Sequence, residues 1–114
     1  MAINDVSACM AIEDRKFCEF FVPEWNDTVL LRSMTANERD LWEKKFTGNK
    51  IPDIVRAALV AKCFVDSNGT RLFSDEQASV LGEKSAAALD RLFDYCMKMN
   101  RFSKEDIEEL TKKS

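Results

Sequence analysis

The side chains whose types could do chemistry are four cysteines, at positions 9, 18, 63 and 96, and Lys62, set in an apolar run. Thiolates attack electrophiles and bind soft metals, and a desolvated lysine can serve as a base. None of these groups has its usual helper. The 114 residues contain no histidine, so Ser–His and Cys–His pairs and mixed Cys/His zinc sites are impossible within one chain. No two cysteines are spaced as a CxxC, the usual mark of a zinc knuckle or a thioredoxin-like site. The thiols are expected to be reduced and to act as small hydrophobes in or near a core. Lys62 is explained by an apolar stem that snorkels to water. No catalytic residue, metal ligand or cofactor-binding residue is assigned, and the chain is not expected to be an enzyme.

Other constellations reduce in the same way. Asp66, Asn68, Thr70 and Asp75 suggest an oxygen-ligand calcium loop, but the DxDxDG spacing and the closing glutamate are missing, so a tight turn is expected. Glu105-Asp106 with Glu108-Glu109 reads as a solvated helix face balanced by Lys104, Lys112 and Lys113. Met97, Met99 and Phe102 can line a soft groove or pack the last two helices together, and packing is favoured.

The elements that must carry these residues follow from composition and punctuation. At 46% hydrophobic residues the chain is too apolar for disorder, and its length suits one compact domain spanning 1–114, with 1–15 and 111–114 as loose ends. The charge sum of −3, with no basic cluster beyond the pairs Lys44-Lys45 and Lys112-Lys113, disfavours nucleic acid and anionic membranes as partners. No apolar run approaches a membrane span, and the opening Met1-Ala2-Ile3-Asn4-Asp5 lacks a signal-peptide pattern. An intracellular protein is expected.

Three glycines and two prolines leave no flexible linker and too few turns for a strand-rich barrel. The first 15 residues hold at most a short helix lined by Val6 and Met10. The aromatic run 16–22 and the run 28–32, around Pro23-Glu24-Trp25-Asn26-Asp27, predict a β-hairpin. Thr35-Ala36-Asn37-Glu38 is a capping box opening a helix through Leu41, Trp42 and Phe46 that stops near Gly48. Pro52 suits the first turn of a helix over 53–65. Its end, 60–65, is compatible with a strand, but length and alanine content favour helix.

Asp66-Ser67-Asn68-Gly69 marks a turn, and Arg71-Leu72-Phe73 an extended bridge. Ser74-Asp75-Glu76-Gln77 caps a short helix ending at Gly82. Residues 85–99 predict a long amphipathic helix with Ala86, Leu89, Leu92, Phe93, Cys96 and Met97 on one face, stopped by Asn100. A last helix is predicted from Ser103 through Ile107 and Leu110. The fold class is mainly α with a small N-terminal β-hairpin, α+β, in one compact helical domain.

A hairpin alone is marginal in water and needs helices or another chain against it. Phe17, Phe20 and Phe21 put aromatics on both faces of one strand, which leaves one face wanting cover and suggests self-association. Trp25 at the tip either folds back onto the core or offers a rigid anchor to a partner. Phe20, Trp25 and Leu30 are the partner-binding residues proposed from sequence.

The order of motifs carries a resemblance. The segments Val22-Pro23-Glu24-Trp25-Asn26-Asp27-Thr28-Val29-Leu30-Leu31-Arg32 and Thr35-Ala36-Asn37-Glu38-Arg39-Asp40 resemble the front of the tail assembly chaperones of long-tailed, lambda-like bacteriophages. So does Asp66-Ser67-Asn68-Gly69-Thr70-Arg71-Leu72-Phe73-Ser74-Asp75-Glu76, followed by Leu81-Gly82-Glu83-Lys84-Ser85 and Ala88-Leu89-Asp90-Arg91-Leu92-Phe93. The similarity spans about residues 20–110, and it departs at Asn26-Asp27, where the family more often has glycine. It implies a non-enzymatic chaperone in the host bacterial cytoplasm that binds and solubilises the tape measure protein. Such a chaperone promotes tail tube assembly and is absent from the finished tail. It further implies contact with the tail tube protein through a longer product of programmed frameshifting, for which the Lys112-Lys113 codons are a candidate slippery run. The alternative from another class is a small regulator, with the helix pair of 35–65 as a degenerate helix-turn-helix whose Arg56 and Lys62 meet phosphates.

Overall fold

The computed structural model describes residues 2–46 and 55–102. Two runs rich in aromatic and branched apolar residues in the front third build the sheet. Strand β1 (Phe17–Val22) pairs antiparallel with β2 (Asp27–Arg32), with Cys18 opposite Leu31 and Phe20 opposite Val29. Between them lies one 3-10 turn, Pro23–Trp25, with proline in its first position. Asn26 then takes the left-handed conformation, at φ 50°. Asparagine tolerates that region best after glycine, so the turn needs no glycine here.

Before the sheet, α1 (Val6–Met10) is one short helix capped by the Asp5 carboxylate, which accepts from the Ala8 amide. Val6 and Met10 face solvent on it. After the sheet, α2 (Ala36–Phe46) opens on the predicted capping box. The Thr35 hydroxyl accepts from the Glu38 amide, and the Glu38 carboxylate accepts from the Thr35 amide. Trp42 is buried, whereas Leu41, expected beside it on the apolar stripe, is exposed.

Helix α3 (Val55–Cys63) is buried at every position except Arg56 and Ala58. The expected helix to residue 65 stops two residues early, because Phe64–Val65 form β3 and pair with β2, Leu30 opposite Val65 and Leu31 opposite Phe64. The hairpin is thus the larger part of a three-stranded antiparallel sheet in the order β1-β2-β3. A β-branched, aromatic end on a helical segment satisfied both periodicities, and the unpaired edge of β2 decided between them.

The turn after β3 is held by the Asp66 carboxylate, which accepts from the Asn68 and Thr70 amides. Gly69 sits at φ 82°, and a Cβ there would lie 2.7 Å from the Arg32 guanidinium. Ser74 and Gln77 exchange the predicted capping bonds, but helix α4 begins only at Ala78 and runs to Leu81. Helix α5 (Ala86–Met99) is capped by Ser85. Its buried residues are Ala88, Leu89, Leu92, Phe93, Cys96, Met97 and Met99, while Ala86, expected on the apolar face, is exposed.

The core lies between the inner face of the sheet (Val22, Val29, Leu31), α3 and α5, and takes in Trp42 and Phe102. Fully burying each such aliphatic side chain is worth about 1.5–3 kcal/mol. The predicted helix stop at Gly48, the Pro52 helix start, the last helix from Ser103 with its acidic cluster, and the tail with Lys112-Lys113 fall outside the described residues.

Candidate partner-binding surface

Strand parity sorts the hairpin into two faces. Cys18, Phe20 and Val22 point to the core side, and the alternate residues Phe17, Glu19 and Phe21 point away. Phe17 and Phe21 remain about half exposed. Because Leu30 lies opposite Glu19 and Phe20 opposite Val29, Leu30 and Phe20 occupy opposite faces of the sheet. The three residues proposed from sequence therefore do not form one patch.

Each has a distinct setting. The Phe20 ring meets Tyr95 of α5, with centroids 4.7 Å apart. Trp25 is half-buried, stacked at 6.4 Å on Phe64 with the Lys84 ammonium over its ring, so the indole folds back onto the core margin. The tip is also tied down by Glu24, which accepts from Arg91 of α5 and has its carboxyl held below the usual range by that bond. Leu30 is half-buried on the outer face beside Val65.

A groove that sequence reasoning missed runs between β1 and the last turn of α5. Cys18, Tyr95 and Met99 lie in it between Lys16 and Lys98, with Phe17 at its edge, and its volume is about 360 Å³. The Cys18 thiol lies 3.0 Å from the Tyr95 hydroxyl and 3.7 Å from the Met99 sulfur. That hydrogen bond, with partial burial, raises the Tyr95 hydroxyl above its ordinary value, so it stays a neutral phenol. A second recess of about 260 Å³ shares Lys16 and Met99 with the first and continues past Met34, Arg39, Asn100 and Arg101. Only Met99, read mainly as a packing residue, hinted at this groove in the sequence.

The end of α5 shapes the second recess. Phe102 N donates to the Met97 carbonyl and Arg101 N to the Lys98 carbonyl, the two bonds of a Schellman stop. The residue after the cap in that motif is left-handed and usually glycine; here it is Arg101, at φ 57°. Phe102 tucks back against Trp42, edge-on at 5.5 Å, with the Arg39 guanidinium 4.0 Å over its ring.

The remaining chemical candidates are structural. Lys62 does not snorkel: it is buried, and its ammonium donates to Asp75 at 3.1 Å. Arg71 donates to the other oxygen of the same carboxylate at 2.9 Å. Burial would raise the Asp75 carboxyl, but these two bonds and charges hold it down at about 2. Asp75 thus clamps α3 to the following loop, and among the described residues no group of three or more potential ligands could hold a metal ion. Cys63 and Cys96 are buried and Cys18 half-buried, as expected, whereas Cys9 is exposed. A hydrogen bond with Cys63, then burial, pushes the Cys96 thiol well up and away from reactivity. The helix-turn-helix alternative loses its recognition helix, because α3 is buried, Arg56 is paired with Asp90 and Lys62 with Asp75. Among the described residues no helix is long and apolar enough to cross a membrane.

No protein-family model matches the sequence, and no curated protein matches it. A solved structure, that of the bacteriophage HK97 tail assembly chaperone, is similar with a TM-score of 0.61 and 15% sequence identity. The match covers 86% of this chain and 99% of that one. At that identity the likeness establishes a shared fold.

Proposed function

We propose that this chain is a tail assembly chaperone of a long-tailed, lambda-like bacteriophage. It binds the tape measure protein in the host bacterial cytoplasm, keeps it soluble and promotes growth of the tail tube around it, without catalysis. The observation that carries the proposal is the shared fold with the HK97 chaperone over nearly the whole of both chains. The order of motifs from the hairpin to Leu92-Phe93 in the sequence supports it independently.

A tape measure protein is a long helical rod with apolar stripes, and such rods are held by grooves with aromatic and methionine surfaces. Many weak contacts along one rod give avidity while each subunit stays releasable. The contacts proposed from sequence are Phe20, Trp25 and Leu30 of the hairpin, combined with a helix groove. Contact with the tail tube protein through a frameshifted longer product, and self-association along the rod, belong to the same proposal. A gene end without a slippery heptamer and an overlapping −1 frame would remove the frameshift.

Co-expression with the tape measure protein of the same phage is the direct test. That protein should stay soluble and co-purify only when this chain is present. Equal solubility with and without it would refute the function.

A further inference from the structure

Cations outnumber carboxylates in the groove between β1 and the end of α5. The residues lining its two recesses include four cations, Lys16, Arg39, Lys98 and Arg101, against one carboxylate, Asp14. Arg39 is spent internally, donating to Glu43 and to the Asn100 carbonyl and covering Phe102. Lys16 and Lys98 are exposed, and among the described residues neither ammonium is in an ion pair. Between them lie Cys18, Tyr95 and Met99. Arg101 occupies a left-handed position where a residue with a Cβ is strained and glycine is not.

We propose that this groove docks a helix of the partner that carries an apolar stripe flanked by carboxylates. The stripe would lie on the thioether and aromatic side chains, and the flanking Asp or Glu side chains would meet Lys16 and Lys98, with Arg101 at the far end. Charge complementarity selects this occupant. A basic helix would face Lys16, Lys98 and Arg101, and an uncharged one would gain nothing from their charge. The identity of the partner as tape measure protein rests on the function proposed above; the chemistry of the docked helix does not.

The test uses the full chain and a designed amphipathic peptide of roughly 20 residues, long enough to span several helical turns, with leucines at helical spacing flanked by glutamates. In NMR titration the peptide should shift the amides of residues 16–18 and 95–101. Its affinity should fall by about tenfold or more in K16E/K98E, and should weaken with salt. A matched peptide with lysines in place of the glutamates should not bind. Shifts elsewhere, or equal affinity for the double variant, would overturn the docking site. Both substituted residues are exposed, so an unchanged melting temperature should accompany the loss.

Capture of the tape measure protein by the same variants separates the two claims. Capture unaffected by K16E/K98E overturns the groove and leaves the function. No capture by the wild-type chain, with peptide binding intact, overturns the function and leaves the groove. Two rival occupants would also show themselves. Self-association in sedimentation that K16E/K98E abolishes would name a second copy. Peptide binding about tenfold tighter after Glu105, Asp106, Glu108 and Glu109 are made amides would name the chain's own acidic segment. Either result overturns the proposal.

Discussion

The side-chain oxygen of Asn100 accepts a 2.7 Å hydrogen bond from the backbone amide of Met34, 66 positions earlier in the chain. The same side chain donates to the Cys96 carbonyl at 2.8 Å and to the Cys63 sulfur at 3.5 Å. Its own carbonyl accepts from Arg39. One amide thus closes α5, touches α3 and fixes the chain between β2 and α2.

Replacing Asn100 by alanine leaves the Met34 amide without its acceptor, while the Cys96 carbonyl keeps the backbone amide of residue 100. Each unsatisfied buried group costs about 1–3 kcal/mol. The expected loss is about 1–3 kcal/mol, read as a lower urea midpoint with an unchanged slope. A loss below about 0.5 kcal/mol, the range of neutral surface changes, would show that the bond is not made in solution.

Arg101→Gly should act in the opposite direction. Relief of the left-handed strain at φ 57° is expected to stabilise the fold by about 1 kcal/mol, because glycine is the natural residue after a Schellman cap. Removing that cation should at the same time weaken the acidic peptide. A variant that is both more stable and a better binder would break the link between strain and binding at this position.

The Asp75 clamp sets an acid limb to stability. Its carboxyl is held at about 2 in the folded chain against 3.8 without its partners, so folding favours the ionised form. The contribution is present above pH ~4 and fades as pH falls towards ~2, where the folded state too is protonated. The side chain is about one-third exposed, so solvent screening reduces the effect to about 1 kcal/mol. Asp75→Asn should flatten that limb in pH-dependent urea melts. Lys62→Ala, which leaves both Asp75 and a buried gap, should cost more than Lys62→Met, which fills the space without the charge.

Thiol reactivity should follow burial. Cys9 is exposed and is expected to react first with iodoacetamide, Cys18 more slowly, and Cys63 and Cys96 only at the rate of global opening. Mass mapping of partly alkylated protein reads the order directly. Early labelling at Cys96 would contradict the buried pairing with α3.

Thr35→Ala should cost about 1 kcal/mol through loss of the cap of α2. The Glu38 carboxylate also takes Arg15 at 2.9 Å, so Glu38→Ala should cost more than Thr35→Ala and loosen the segment before β1. Hydrogen exchange at residues 13–16 reports that loosening.

What the sequence determined by itself was local. The capping boxes at Thr35 and Ser74, the turn at Asp66, the hairpin around Pro23 and the long stripe of α5 all follow from side chains within a few positions of one another, and each was readable on that ground. The short-range code also named the proposed contacts, but it could not place them. Phe20 and Leu30 fell on opposite faces of the sheet because that depends on register across a turn. Tertiary structure decided the rest. Whether Phe64–Val65 ended a helix or joined a sheet was settled by the exposed edge of β2. Lys62 became a buried clamp because Asp75 and Arg71 arrive beside it in the fold. The groove exists because β1 and the end of α5, some 80 residues apart, bring Lys16, Cys18, Tyr95, Lys98 and Met99 together. No spacing rule within the chain encodes such a juxtaposition, since it forms only when two distant apolar faces are buried against each other.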